Sequence, residues 1–215
     1  MTRLTFARIA RCVLHSHYAV RSENIECLYN GRTHLVLPNH TAYIDPLILF
    51  AECAEVPICP LVDERFFRNP VFRRVLALAD AVSVPDLEKT RDRRNDATQA
   101  HRLTESTVAA LAAGRDVAFY PSGHVQTVNR EVIGNRRLAY EVCSQLPEEV
   151  VVIMVRMSGL ERSVWSKLRP KNFRLRRKVT LHFEDKTDDL RRWAQEGDRR
   201  AFNQHLEEWY NEGRA

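Results

Sequence analysis

The chain has 215 residues, 44% of them hydrophobic, so it is long enough to bury one substantial core. A formal net charge of +5 favours a polyanionic partner, either an anionic membrane surface or nucleic acid. Five scattered cysteines without paired or metal-type spacing argue against disulfides and a metal site, and they fit a reducing cytoplasm.

Taken in chain order, the hydrophobic patterns alternate between strands and helices, which predicts an α/β fold in a single domain, residues 1–215. No run of about 18 uncharged apolar residues occurs, so no membrane span is expected. The predicted elements are an amphipathic N-terminal helix (1–20), a hairpin (25–28 and 33–37) turning at Asn30-Gly31, a helix (46–53) entered at Asp45, a strand (56–62), a helix (66–78), a strand (81–84), an exposed loop (86–96), a helix (97–113) stopped by Gly114, a strand (117–120), a helix (136–146), a buried strand (150–155), a loop (160–172), a strand (178–183) and a C-terminal helix (188–215).

The N-terminal helix carries a basic side beside an apolar side. This pattern is typical of a helix that lies on a membrane surface. It is equally typical of a first helix that faces the core and exposes its basic side to solvent.

The most informative segment is the loop after the strand 33–37, where His40 and Asp45 stand five positions apart. Neutral histidine takes up a proton readily near pH 7, and a carboxylate on its other ring nitrogen fixes the tautomer. The pair therefore predicts a base and its orienting acid for activating a hydroxyl. The alternative is structural, with Asp45 capping the helix that begins at Pro46 and His40 serving as a turn residue or a satisfied buried histidine. Both roles for Asp45 are also compatible with each other.

A second unusual loop, Phe119-Tyr120-Pro121-Ser122-Gly123-His124, also follows a predicted strand. Together with 39–45, this block resembles the glycerolipid acyltransferases of the lysophosphatidic acid acyltransferase type. Within that group the chain is most similar to the domain that reacylates 2-acylglycerophosphoethanolamine, and the likeness covers roughly residues 20 to 185. Supporting segments are Gly114-Arg115, 151–156, 158–161, 165–168 and 179–182.

The resemblance implies a mixed sheet flanked by helices and an enzyme that moves a fatty acyl chain to the free hydroxyl of a lysophospholipid. The donor would be acyl-CoA or acyl carrier protein, with no further cofactor and no metal. His40 would be the general base and Asp45 its orienter. The implied substrate-binding residues are Asn39, Thr41, Tyr120, Ser122, Gly123, His124 and Arg130.

Two positions depart from the family pattern. In the block 119–124, Ser122 stands where the family usually has a glutamate associated with acceptor binding. After the strand 81–84, Pro85-Asp86 stand where a phosphate-binding arginine is common in the family. Backbone N–H groups around Gly123, the Ser122 hydroxyl and either His124 or Arg130 are alternative phosphate ligands. His124 and Arg130 are equally consistent with a plain loop histidine and a solvated surface charge.

Two other functions fit parts of the sequence. Ser122 is a potential nucleophile, which would make the chain a lipid hydrolase, although Pro121 does not suit a nucleophile elbow. A non-catalytic protein that binds lipid or nucleic acid is also consistent with the basic segments 65–74 and 167–178. Interleaved phenylalanines in 65–74 favour a membrane interface. We therefore expect an enzyme on the cytoplasmic face of the cell membrane, bound peripherally, with no nucleic-acid partner.

Overall fold

The computed structural model describes residues 2–84 and 93–213. Pro85-Asp86 and most of the predicted loop 86–96 lie outside this range. The helices are α1 (Arg3–His17), α2 (Asp45–Glu52), α3 (Glu64–Phe67), α4 (Pro70–Leu78), α5 (Arg93–Ala112), α6 (Leu138–Cys143), α7 (Thr187–Gln195) and α8 (Arg199–Asn211), with a 3-10 helix at Ile25–Tyr29. The strands are β1 (Tyr18–Glu23), β2 (His34–Pro38), β3 (Cys59–Asp63), β4 (Val82–Val84), β5 (Val117–Ala118), β6 (Val151–Ser158) and β7 (Arg177–Asp185).

The strands form one seven-stranded sheet in the order β1-β7-β6-β2-β5-β3-β4. β6 and β7 pair antiparallel, and every other neighbouring pair is parallel. The predicted mixed α/β fold is therefore confirmed. Because β2 lies between β5 and β6 and runs parallel to both, the three strands end at the same edge of the sheet. We call this edge of the sheet the C-terminal edge.

Alternate side chains of the central strands pack on opposite faces of the sheet, as the two-residue period of a strand requires. Val36 and Ile153 belong to the core that α1 and α2 cover. Leu35 and Val152 belong to the second core, on the side of α5, α6, α7 and α8. Burial on both faces explains why β2 and β6 are almost continuously hydrophobic.

The predicted hairpin at Asn30-Gly31 is wrong. Residues 25–29 form a 3-10 helix, and β2 pairs with β5 and β6 instead. A two-residue hairpin turn of this kind needs positive φ at both positions. Gly31 has φ +73°, but Asn30 has φ −83° because it ends the 3-10 helix, and its side-chain oxygen accepts a hydrogen bond from the Arg32 N–H.

Two long predicted helices are each divided in the structure. The segment 66–78 is interrupted before Pro70, since proline disfavours helical backbone in the residue that precedes it. The C-terminal segment 188–215 contains α7 and α8, which are separated at Gly197, where φ is +77°. Strand β1 was not predicted at all.

The N-terminal helix is present as α1, and it buries Ala7 and Leu14. Two arginines of its basic side pair with acids at and just after the end of α2: Arg11 with Glu52 at 3.4 Å and Arg8 with Glu55 at 2.9 Å. None of the helices in the described ranges is long and apolar enough to cross a membrane.

Candidate active site

Three loops meet at the C-terminal edge of the sheet. Residues 39–44 follow β2, residues 119–137 follow β5, and residues 159–176 follow β6. Backbone hydrogen bonds join them: the Gln126 N–H donates to the His40 carbonyl at 3.0 Å, and the Tyr43 N–H donates to the Trp165 carbonyl at 3.0 Å. The loops that hold the two sequence blocks are therefore in contact.

His40 and Asp45 form the predicted pair. The His40 Nδ1 lies 3.1 Å from the Asp45 Oδ2, the carboxylate is fully buried, and the His40 side chain is 14% exposed. Among the described residues nothing bonds to the His40 Nε2. A carboxylate acceptor at Nδ1 favours the tautomer that carries its proton there. The Nε2 is then a proton acceptor at the exposed end of the ring.

Asp45 holds the loop rather than the helix. Its Oδ2 accepts hydrogen bonds from the backbone N–H groups of Thr41 at 2.6 Å and Ala42 at 2.8 Å, and the Thr41 hydroxyl lies 3.3 Å from both carboxylate oxygens. Asp45 is itself the first residue of α2, and no side chain caps that helix. The capping alternative is therefore wrong. The carboxylate points backwards, into the turn that carries the imidazole.

A second histidine–aspartate pair lies at the other end of β2. The His34 Nδ1 lies 3.0 Å from the Asp116 Oδ1, which also accepts from the His34 N–H at 2.7 Å, and both residues are buried. The His34 Nε2 lies 2.9 Å from the Asn30 Oδ1, so both ring nitrogens are engaged. The His34–Asp116 pair is therefore structural. His40 differs from His34 in its free Nε2 and in its position at the C-terminal edge.

Tyr120 forms one wall of the site. Its ring stacks on the His40 imidazole with centroids 4.1 Å apart and planes 26° apart. The Tyr120 hydroxyl is buried without a hydrogen-bond partner among the described residues. Burial, followed by the nearby Asp45 charge, raises the Tyr120 pKa well above its usual value, so the ring stays neutral. Tyr120 therefore fixes the orientation of the imidazole.

Glu131 was missed at the sequence level, and it lies against the same loop. Its side chain is fully buried, and its Oε2 accepts the His40 backbone N–H at 3.1 Å. Burial raises the Glu131 pKa, and the hydrogen bond from the His40 N–H lowers it in part. Its backbone is held by Asn211 of α8 in two hydrogen bonds. No sequence spacing connects Glu131 with His40, which lies 91 residues earlier.

Asn39 and Thr41, the predicted neighbours of the base, are both buried. The Asn39 amide donates to the Met157 carbonyl at 3.0 Å and accepts the Met157 N–H at 2.6 Å, so it ties the loop to β6. Thr41 is bonded to Asp45, as described above. Both side chains are therefore engaged in hydrogen bonds that support the loop.

Ser122, Gly123 and His124, which follow Tyr120 in the same loop, form a tight turn. Ser122 is fully buried, and its hydroxyl donates to the His124 carbonyl at 3.2 Å. The His124 Nδ1 lies 2.8 Å from the Ser122 carbonyl, and Gly123 has φ +70°, a conformation that favours glycine. His124 is partly exposed, and among the described residues nothing bonds to its Nε2.

Arg130 lies farther along the same loop, on the wall of a groove of about 580 Å³ between that loop and α8. Glu207 and Glu208 of α8 line the same groove. Neither His40 nor Asp45 is among its lining residues, so the structure does not bring Arg130 and the base together in this groove. Within the described ranges, no cluster of three or more histidine, cysteine, aspartate or glutamate residues is placed to bind a metal.

The sequence model of the family described as Acyltransferase matches residues 19–162, which is more than half of the chain. The chain belongs to this acyltransferase family. The family match ends near the start of the 159–176 loop, so it includes both loops that form the histidine site. Comparison with curated proteins gives no match.

Among solved structures, the chain is similar to the 1-acyl-sn-glycerophosphate (LPA) acyltransferase PlsC from Thermotoga maritima. The TM-score is 0.57 at 17% sequence identity, and the match covers 95% of this chain and 78% of that chain. At this identity the likeness shows a common fold. The predicted family and fold are both confirmed.

Proposed function

We propose that this acyltransferase moves a fatty acyl chain from acyl-CoA or acyl carrier protein to the free hydroxyl of a lysophospholipid, such as 1-acylglycerol-3-phosphate. His40 is the general base and Asp45 its orienter. The observation that carries the proposal is the His40 imidazole itself: Nδ1 is bonded to a buried carboxylate, and Nε2 is free at the C-terminal edge.

In the proposed reaction, the His40 Nε2 takes the proton from the acceptor hydroxyl as that oxygen attacks the thioester carbonyl. The C–O bond forms, the C–S bond breaks, and the thiolate leaves with the proton from the imidazolium. Asp45 stabilises the transient positive charge on His40, because its carboxylate is held within hydrogen-bond distance of Nδ1. The two substrates are bound side by side, so no covalent enzyme intermediate is needed.

Asp45 meets the structural requirement of this mechanism because it cannot easily move. Two backbone N–H groups and the Thr41 hydroxyl fix its carboxylate, and the site has no room for water around it, since the residue is fully buried. Tyr120 fixes the imidazole from one face, and Glu131 fixes the backbone that carries it. A base that is already oriented loses little entropy when substrate binds.

For the acceptor headgroup, His124 is the best-placed candidate of the predicted ligands. Its Nδ1 donates to the Ser122 carbonyl, so Nε2 donates to a phosphate oxygen when the ring carries both protons. His124 also lies in the loop whose Gln126 N–H donates to the His40 carbonyl. Ser122 and Gly123 are already engaged by internal hydrogen bonds and shape the turn. Arg130 would contact a headgroup only at the groove beside α8.

We further propose a cytoplasmic enzyme bound peripherally to the inner face of the cell membrane. The support is chemical: a lysophospholipid resides in a membrane, whereas acyl-CoA and acyl carrier protein are delivered from the aqueous phase. This placement lets one active site at the membrane boundary receive both substrates.

The test is to incubate the purified protein with labelled acyl-CoA or acyl carrier protein donors and a panel of lysolipids, and to identify the products by mass. The panel contains glycerophosphate, ethanolamine and phosphate-free aminoacyl lysolipids. We expect a diacyl product with at least one pair. A His124→Ala variant should raise KM for phosphate-bearing acceptors and change KM for the donor little. Absence of product with every pair would contradict the proposed function.

A further inference from the structure

The loop that follows β6 combines large exposed apolar side chains with unpaired cations. We call residues 162–176 the basic loop. Trp165 is 46% exposed, Phe173 is 82% exposed and Leu175 is 100% exposed. Phe173 and Leu175 bury little or none of their surface in the fold of the chain itself, whereas Trp165 is about half buried. Their exposure indicates a surface that meets an apolar environment.

The charge of the same segment has one sign. From 162 to 176 the sequence contains no acidic residue, and its basic residues are Arg162, Lys167, Arg169, Lys171, Arg174 and Arg176. Lys167, Arg174 and Arg176 are exposed, and within the described ranges none of the three forms an ion pair. By contrast, the arginines at positions 8 and 11 of α1 are paired with glutamates.

The basic loop is attached directly to the loop that carries the base. The Trp165 carbonyl accepts the Tyr43 N–H, and Ser166 forms a β-bridge with Ala42, two residues after His40. The Lys167 Nζ lies 5.7 Å from the centre of the Tyr43 ring, which is itself on an exposed residue. Whatever binds the basic loop is therefore held beside the active site.

We propose that the basic loop is the surface by which the protein docks onto an anionic lipid bilayer. Phe173, Leu175 and Trp165 enter the boundary between headgroups and acyl chains, and the surrounding cations bind the lipid phosphates. A bilayer fits better than an acidic protein partner because one short segment combines exposed apolar side chains with cations of a single sign, and a fluid anionic interface accommodates both without a matching pocket. The proposal rests on the proposed function in one respect, namely that the acceptor is a membrane lipid.

The test is sedimentation of the full chain with phosphatidylcholine vesicles that contain or lack phosphatidylglycerol. We expect binding to the anionic vesicles, weakened by salt. The double variant F173S/L175S should bind at least about tenfold more weakly. R174Q/R176Q should lose roughly fivefold in affinity per charge removed. The matched control is I9S/V13S on α1, which removes two exposed apolar side chains outside the basic loop and should bind as the wild type does.

Acyl transfer to a short-chain acceptor that is monomeric in solution separates the two proposals. The loop variants should retain wild-type rates with this acceptor and lose activity only on vesicles. The docking proposal is overturned if F173S/L175S sediments like the wild type, if I9S/V13S abolishes binding, or if the loop variants lose affinity for acyl carrier protein and not for vesicles. A wild-type protein that binds vesicles but acylates no acceptor would contradict the proposed function and leave the docking surface in place.

Discussion

Replacing Asp45 with asparagine tests whether its charge serves catalysis or only the loop. The Oδ2 accepts three N–H donors, from Thr41, Ala42 and His40, at 2.6, 2.8 and 3.1 Å. An amide oxygen at the same position accepts the same three donors, so D45N removes the charge and keeps the geometry. A hydrogen bond to a charged group is worth about 1 kcal/mol more than a neutral one. The two backbone bonds therefore predict a loss of about 2 kcal/mol in the free energy of unfolding.

The effect on catalysis should be larger. At an effective dielectric constant of about 20, two unit charges about 3 Å apart interact by about 5 kcal/mol. If the developing imidazolium of His40 uses half of this attraction in the transition state, D45N slows acyl transfer about 100-fold. The loss should appear in kcat with little change in KM, because the imidazolium forms only as the hydroxyl is deprotonated.

The assay is steady-state acyl transfer, with thermal unfolding measured on the same preparations. About 2 kcal/mol corresponds to a fall in Tm of roughly 4 to 8 °C for a chain of this size. The control is D116N, which removes the charge from the histidine–aspartate pair at the opposite end of β2 and should lower Tm while leaving kcat near the wild-type value. If D45N and D116N lower Tm alike and neither changes kcat, Asp45 only holds the loop and the reasoning is refuted.

Three further variants test the surroundings of the base. Burial raises the Glu131 pKa, so the wild-type protein loses stability as pH rises from about 4.3 through that raised value. The E131Q variant lacks this titration. In denaturant titrations its free energy of unfolding should therefore be higher than that of the wild type at about pH 8 and equal to it near pH 4. A reversed pH trend would contradict the burial argument. Y120F deletes a buried, unpartnered hydroxyl and should raise the free energy of unfolding by about 1 kcal/mol while kcat/KM stays within about threefold; a large loss of kcat would show that the hydroxyl takes part. S122A should retain acyl transfer, since its hydroxyl bonds to the His124 carbonyl, and complete loss with an intact fold would favour the hydrolase.

The elements that were predicted correctly are those whose local pattern agrees with their place in the fold. Strand β6 is nearly all β-branched or otherwise apolar because both of its faces are covered, and that pattern is visible in the sequence. Strand β1 has no such pattern, because Tyr18–Glu23 lies at the edge of the sheet and alternates half-buried with exposed residues. Asn30-Gly31 has the composition of a hairpin turn, but β2, the strand that follows it, pairs with β5 and β6, which are distant in sequence.

The candidate site divides in the same way. His40 and Asp45 were predictable because one short loop holds both, and the carboxylate bonds the intervening backbone. The support from Tyr120 and Glu131 depends on tertiary contacts across roughly 80 to 90 residues. Glu131 in particular follows Arg130 and has no informative spacing to His40, and its burial against the His40 N–H follows from the packing of α8 on this loop.

The most direct test of the account is acyl transfer by H40A. General base catalysis contributes about 10²- to 10⁴-fold, so the variant should lose at least about 100-fold in kcat. Its Tm should fall by only a few degrees, since within the described part of the chain the partly exposed imidazole makes one side-chain hydrogen bond, to Asp45. A folded H40A protein that transfers acyl groups at close to the wild-type rate would contradict the central claim.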